Sequence, residues 1–402
     1  MLTNLLKRIL GTKPVTSAGL SAPFVAEQLD AARAEFERSL SCSGRPRIAV
    51  VKQDINEDLY CCPPGSKGRD VVDSTLLRSG PAALFSDFDA DFHIVETVDD
   101  PECSIWQERA TKLNWDSLEF FRSYQNQIPG RKYGQRQFSV AVDGIDWSLY
   151  DIVISIDNSV PARITRQHPR TLWAYYVREI KVPEYKESLK RPLPGQDVVL
   201  SHVFEPDPKP AASHVLSFPY HLQRYGCLQE LFGESPEVAD QRKGVFVDHH
   251  TMINLSADER KLLTPFGPVA STIHEGSREV IPTSEKLARR TLDPDLRERL
   301  FHSRYFLCTP GARTVFGTAI VEAIAAGCLM LGTPSRIRCP WLLTGATSAA
   351  NCFEALQLMR ELDRRPELLN QQLQFQRQLI DWLCYYRPLT QLFVSWSQKT
   401  RR

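Results

Sequence analysis

YFLCTPGARTVFGTAIVEAIAAGCLMLGTP, residues 305–334, reads as strand, tight turn, helix and strand. Tyr305, Phe306, Leu307 and Cys308 form a short apolar run that Pro310-Gly311 ends. Ala319, Ile320, Ala323 and Ile324 then recur at helical spacing, and Gly327 stands in the place of a helix C-terminal glycine. Residues 328–331 are a second apolar run, closed by Gly332-Thr333-Pro334. Two buried strands joined by one helix form a βαβ unit, which implies a parallel sheet. Glu322 lies in the helix among alanines and isoleucines, where a charge needs a specific reason.

The same kind of pattern extends in both directions. RIAVV (47–51) is the first convincing strand and leads into a polar turn, Lys52-Gln53-Asp54. DIVISI (151–156) is a near-continuous apolar run, the mark of a strand buried on both faces, and LWAYYV (172–177) is another. Weaker strands read at 92–95 and 198–203. In the second half GVFV (244–247) is a strand ending in Asp248-His249-His250, and 269–273 adds one more. Helical periodicity marks 26–40, 116–125 and 257–263, with helix, break and helix over 284–302 and helix-like segments near 350–362 and 366–386. CCPPGSKGR (61–69) is a loop, and FEPDPKP (204–210), with three prolines, connects the halves. The expected architecture is α/β, two Rossmann-like domains in tandem with parallel sheets flanked by helices. The expected boundaries are a helical leader over 1–40, a first domain over 41–215, a second over 216–365 and terminal helices over 366–402.

At 402 residues, 42% hydrophobic and 24% charged, the chain suits two soluble globular domains. Lys+Arg 49 against Asp+Glu 48 leaves a formal charge of +1, which argues against a nucleic-acid partner. The ten cysteines include no CxxC pair, so the usual zinc spacing is missing. Cys308 and Cys328 lie in apolar runs as small hydrophobes, which fits a reducing cytoplasm. MLTNLLKRILG (1–11) is apolar on one side with Lys7 and Arg8 on the other. It reads either as a helix in peripheral contact with the inner face of a membrane or as a leader packed on the fold. No segment approaches about 18 uncharged apolar residues, the length a spanning helix needs.

Tandem α/β domains with Phe316-Gly317-Thr318-Ala319-Ile320-Val321-Glu322-Ala323-Ile324-Ala325-Ala326-Gly327 late in the second resemble glycosyltransferases of the GT-B type. The similarity is closest to the retaining GT-B and exostosin-like families. There, a segment F-G-x-x-x-x-E-A-x-A-x-G follows a strand of the C-terminal domain and binds the nucleotide sugar. The resemblance implies a donor domain at the C-terminus, an acceptor domain at the N-terminus, and last helices, with Trp382, Tyr385 and Tyr386, that cross back to the first domain. It places Glu322 at the ribose hydroxyls. The chain departs from the family pattern twice. Many retaining members carry a further glutamate eight positions earlier, where this chain has Thr314. An Arg/Lys pair often follows the first strand of the second domain, where this chain has Asp248-His249-His250-Thr251.

A diphosphate favours a helix N-terminus, where unpaired N–H groups and the helix dipole meet the anion. Gly311 permits close backbone approach, Arg313 supplies a cation, and Thr314 caps the helix or donates a hydrogen bond; Gly317 belongs to the same segment. The plainer reading is an ordinary capped helix start. For Glu322 the plainer reading is a buried pair with an arginine. His249 and His250 follow a strand's carboxyl end, where ligands gather in open α/β sheets. In an extended segment they point opposite ways, so at most one faces a ligand. With Arg313 they are the catalytic candidates.

On the acceptor side the candidates are Lys52 and Asp54 after the first strand, Asp157 and Asn158 after DIVISI, and Glu179 after LWAYYV. Trp173, Tyr175 and Tyr176 either stack on sugars or form core. Asp87, Asp89 and Asp91, in SDFDADF, make overlapping Asp-x-Asp pairs. They read as a plain acidic loop or as the divalent-metal motif of glycosyltransferases with the other large fold, GT-A. Taken together, the chain reads as a cytoplasmic glycosyltransferase of surface polysaccharide synthesis. It would move a sugar from a nucleotide sugar to a glycan or lipid-linked acceptor, with no cofactor and no metal. The alternatives are a non-catalytic GT-B-like protein that binds nucleotide sugars or glycans, and a sugar-nucleotide epimerase on the same fold.

Overall fold

A computed structural model describes residues 20–53, 81–95, 136–140, 142–156, 159–176, 189–201, 206, 212–219, 222–232, 242–247, 249–252, 254–271, 296–309, 318–337 and 339–401. Its strands are β1 (Ile48–Gln53), β2 (Asp91–Val95), β3 (Arg136–Val140), β4 (Ile152–Ile156), β5 (Leu172–Tyr176), β6 (Val198–Ser201), β7 (Val215–Ser217), β8 (Val245–Val247), β9 (Val269–Ser271), β10 (Tyr305–Cys308) and β11 (Leu329–Gly332). Helices used below are α1 (Ala22–Ser43), α2 (Ala82–Phe88), α3 (His249–Met252), α4 (Thr318–Ala326), α5 (Cys352–Arg364), α6 (Pro366–Asp381) and α7 (Arg387–Thr400). The described residues fall into two compact units. One draws on the described residues within 34–222 and 386–401, the other on those within 20–33, 223–271 and 296–385.

The first unit holds a seven-stranded sheet in the order β3-β2-β1-β4-β5-β6-β7, with every neighbouring pair parallel. β4 and β5 are buried along their whole length, as their unbroken apolar runs require. Ala49, Val51, Val153 and Trp173 share a core with Val142, Ile145, Trp147, Val160 and Ile164. Trp173, Tyr175 and Tyr176 are all fully buried core residues, not exposed stacking platforms. Lys52 is not in a turn. β1 continues to Gln53, and Lys52 stands in register with Ile94 of β2 and Ile156 of β4. Two flanking strands offer hydrogen bonds to this backbone, and that outweighs the polar sequence.

α7 packs in this unit although it ends the chain. The Gln391 side-chain oxygen accepts the Ser217 N–H at 3.1 Å, and Phe393 stacks on Phe36 of α1 with centroids 5.8 Å apart.

The second unit holds a four-stranded parallel sheet in the order β11-β10-β8-β9. Val245, Val247, Tyr305, Leu307, Leu329 and Leu331 form one apolar face with Ala355, Leu356, Met359 and Leu362 of α5. Phe246 and Phe306, the alternate residues, stack 6.0 Å apart. β11 is an edge strand, and Gln376 of α6 covers it. Its carbonyl oxygen accepts the Met330 N–H at 2.8 Å, and its amide donates to the Met330 carbonyl at 3.0 Å. A buried glutamine thus stands in for a further strand and satisfies backbone groups that would otherwise be open.

The βαβ unit of residues 305–334 is present as β10, α4 and β11. α4 closes as expected: Gly327 has φ 104°, its N–H reaches the Ile324 carbonyl at 2.9 Å, and the Cys328 N–H reaches that of Ala323 at 2.8 Å. Among the described residues no helix is long and apolar enough to cross a membrane. The segments 1–11, 61–69 and 116–125 lie outside the described residues, as does most of 204–210 and 284–302.

Candidate functional site

In an open parallel sheet ligands gather beyond the carboxyl ends of the strands, where the strand order reverses direction. The chain has two such points. In the seven-stranded sheet β2 and β3 lie on one side of β1, and β4 to β7 on the other, so the reversal falls between β1 and β4. Lys52 lies near the end of β1, in register with the last residue of β4. Asp54, Asp157, Asn158 and Glu179 lie outside the described residues. Of the acceptor-side candidates only the backbone of Lys52 is located, at this reversal.

In the four-stranded sheet β9 lies on one side of β8, and β10 and β11 on the other, so the reversal falls between β8 and β10. α3 begins two residues after β8 ends, and His249 and His250 are its first two residues. Their backbone is therefore helical, and the extended segment expected there is absent. Successive residues of a helix turn by about 100°. The turn is fixed downstream: the Thr251 carbonyl accepts the N–H groups of Asn254 and Leu255, both at 3.1 Å, and Met252 and Leu255 are buried in the core.

The end of β10 is tied on both sides. Toward β8, the Thr251 hydroxyl oxygen accepts the Thr309 N–H at 3.2 Å. Toward β11, the Thr333 N–H donates to the Cys308 carbonyl at 3.1 Å, and the Thr333 hydroxyl donates to the Ala349 carbonyl at 2.6 Å. A Cβ on Gly332 would lie 2.9 Å from the Cys308 carbonyl, so the two strands approach too closely there for a side chain. Gly311, Arg313, Thr314 and Gly317 follow in the chain but lie outside the described residues.

Glu322 is 4% exposed, in the second turn of α4, between residues that are themselves fully buried. Carrying a carboxylate to that depth is costly without compensating charge or hydrogen bonds. The C-terminal end of α4 is held by several donors. Buried Arg242 donates to the Ala326 carbonyl, the Gln229 amide donates to the same oxygen at 2.5 Å, and the Gly226 N–H donates to the Ala325 carbonyl at 3.1 Å. One cationic and two neutral donors thus meet the negative end of the helix dipole. Nothing in the sequence marked Arg242. Beside it Cys328 is buried, and burial pushes its thiol up to about 11, so it is an inert core residue.

Asp87, Asp89 and Asp91 do not converge. Asp87 accepts from the Ser86 hydroxyl at 2.7 Å in α2. Asp89 caps α2 in the left-handed conformation and lies 3.5 Å from Arg45. Asp91 is buried at the start of β2, where its carboxylate accepts the Tyr150 hydroxyl at 2.6 Å and lies 3.4 Å from Arg47, while His93 Nε2 lies 2.9 Å from the Tyr150 hydroxyl. That is the amino edge of the strands, opposite the edge where ligands gather. Burial and Asp91 together push the Tyr150 phenol upward, so it stays protonated as a donor. Among the described residues no group of three His, Cys, Asp or Glu side chains is placed to hold a metal ion.

No family model and no curated protein matches the chain. Among solved structures, HepE of Anabaena in complex with UDP is 10% identical, at a TM-score of 0.39, over 87% of this chain and 98% of that one. Sucrose-phosphate synthase from Thermosynechococcus elongatus is 10% identical, at 0.38, over 88% and 98%. BGT of phage T4 in complex with UDP and Mn2+ is 11% identical, at 0.35, over 88% and 97%. Likeness at these scores is too low to argue from, so the functional reading rests on this chain's own residues and strand order.

Proposed function

We propose that this chain is a GT-B-type glycosyltransferase that moves a sugar from a nucleotide sugar to a hydroxyl of a glycan or lipid-linked acceptor. One observation carries the reading. The strand, helix and strand that bear the E-A-I-A-A-G sequence exist as β10, α4 and β11, with β10 ending at the reversal of the sheet and Glu322 buried in the helix that follows. A ribose diol gives such a carboxylate two hydroxyl donors, which offsets its burial.

In this reading the residues from Gly311 to Thr314 meet the diphosphate, with Arg313 as its cation. The bond between the anomeric carbon and the diphosphate oxygen breaks, and the acceptor oxygen bonds to that carbon as its hydroxyl proton leaves. Negative charge grows on the departing diphosphate, so a fixed cation and aligned N–H groups lower the barrier. The reversal between β1 and β4, near Lys52, is the place for the acceptor.

A thermal-shift screen of the full chain against UDP-, GDP-, ADP- and CMP-sugars tests the reading, because a ligand that binds the folded state raises its melting temperature. One class is expected to stabilise the wild type. Glu322→Ala should weaken that ligand about tenfold or more, the scale of hydrogen bonds to a charged group. Unchanged affinity in Glu322→Ala would sink the ribose role.

A further inference from the structure

The hydrogen bond between the Thr309 N–H and the Thr251 hydroxyl crosses the reversal point of the four-stranded sheet. Both residues are 1% exposed. β8 and β10 pair in parallel only as far as Val247 and Leu307. Beyond that the strand ladder gives out, and this side-chain acceptor replaces the next rung. On one side it holds the turn that begins with His249 and His250. On the other it holds the last described residue before Pro310 and Gly311. The opposite flank of β10 is held by the Thr333 N–H at the Cys308 carbonyl, and among the described residues the Thr251 hydroxyl links the two segments that approach the reversal from β8 and β10.

We propose that Thr251 is a positioning residue for nucleotide-sugar binding: its hydroxyl sets the spacing of the β8 and β10 ends that form the floor of the crevice. The inference rests on the donor-site reading above. Its physical basis is that a buried N–H deprived of its acceptor must move or stay unsatisfied, and either displaces the backbone at the ligand's edge. The sequence shows Thr251 only as the last residue of Asp248-His249-His250-Thr251; its partner stands 58 residues away.

The test compares Thr251→Val, which keeps the shape and loses the acceptor, with Thr251→Ser, which loses a methyl group and keeps the acceptor. Affinity is measured by calorimetry on the full chain, with the UDP-, GDP-, ADP- or CMP-sugar that stabilises the wild type. Thr251→Val is expected to bind about tenfold more weakly and Thr251→Ser within about twofold of wild type. A purely structural role would weaken both, in step with their melting temperatures. Wild-type affinity in Thr251→Val, or equal losses in the two variants, would overturn the inference and leave the donor-site reading standing. If none of the nucleotide sugars binds the wild type, the donor-site reading itself fails, and this inference with it.

Discussion

The carboxylate of Asp381, at the end of α6, accepts the backbone N–H of Tyr225 at 2.7 Å. Burial pushes its pKa up to about 6, against the pull of that N–H and of Arg33, Arg224 and Arg377. Arg33 lies 3.7 Å from it, and Arg377 stacks 3.9 Å over the Tyr225 ring. The site is a polar junction in which desolvation outweighs three cations.

The sign of the pH effect follows. In the unfolded chain Asp381 titrates near 3.8, and in the folded chain near 6. The folded state holds this proton more tightly, so the stability from this group is complete below pH 3.8 and is lost as pH rises through 6. The loss is of the order of 2–3 kcal/mol. Asp381→Asn stays neutral and keeps an oxygen for the Tyr225 N–H. Denaturant unfolding from pH 4 to 7.5 should show the variant gaining on wild type as pH rises, by about 2 kcal/mol at the top of the range. Parallel curves for the two proteins would show that the carboxylate is not penalised by burial.

Gly327 is the second point. A Cβ there would lie 2.8 Å from three atoms of the Arg242 guanidinium, at a backbone φ of 104°. Arg242 is itself buried and held by the Ala326 carbonyl, so it has little room to retreat. Gly327→Ala is expected to cost roughly 2–4 kcal/mol, from backbone strain and overpacking together. A loss under about 0.5 kcal/mol, the size of an ordinary surface change, would mean that Arg242 is free to move.

The buried cluster of Asp91, His93 and Tyr150 is expected to serve stability alone. Tyr150→Phe leaves the Asp91 carboxylate and the His93 ring without their shared partner, at a cost of about 1–3 kcal/mol. Binding of a nucleotide sugar should be unchanged in this variant, because the cluster sits at the amino edge of its sheet. EDTA should leave the wild-type melting temperature where it was. A shift of several degrees on adding Mn2+ back would return the acidic run to consideration as a metal site.

Much of the architecture was legible because burial on both faces leaves an unbroken apolar run. DIVISI and LWAYYV became β4 and β5 for that reason, and YFLC and LMLG became β10 and β11. The glycine at 327 was legible as well, since few residues but glycine hold that backbone angle. The end of β1 was not, because Lys52 is strand by virtue of two neighbouring strands and Gln53 by its pairing with Val95 of β2. The helical turn at His249 was missed for a related reason. Its cause is the burial of Met252 and Leu255, which no local pattern reveals.

The candidate site divides along the same line. Local chemistry in the chain identified Glu322 as an unusual charge and the carboxyl ends of the apolar runs as places of interest, because periodicity and burial cost act over a few residues. Which ends lie side by side is a matter of strand order, and strand order is set by long-range pairing that the linear pattern does not encode. Only the folded sheets put the reversal between β8 and β10, joined Thr251 to Thr309 across it, brought Arg242 under Gly327, and moved Asp91 to the edge away from any ligand. Hydrogen bonds and charges act over a few ångströms in space, and in this chain those few ångströms separate residues that stand 58, 85 and 59 positions apart in sequence for Thr251–Thr309, Arg242–Gly327 and Asp91–Tyr150.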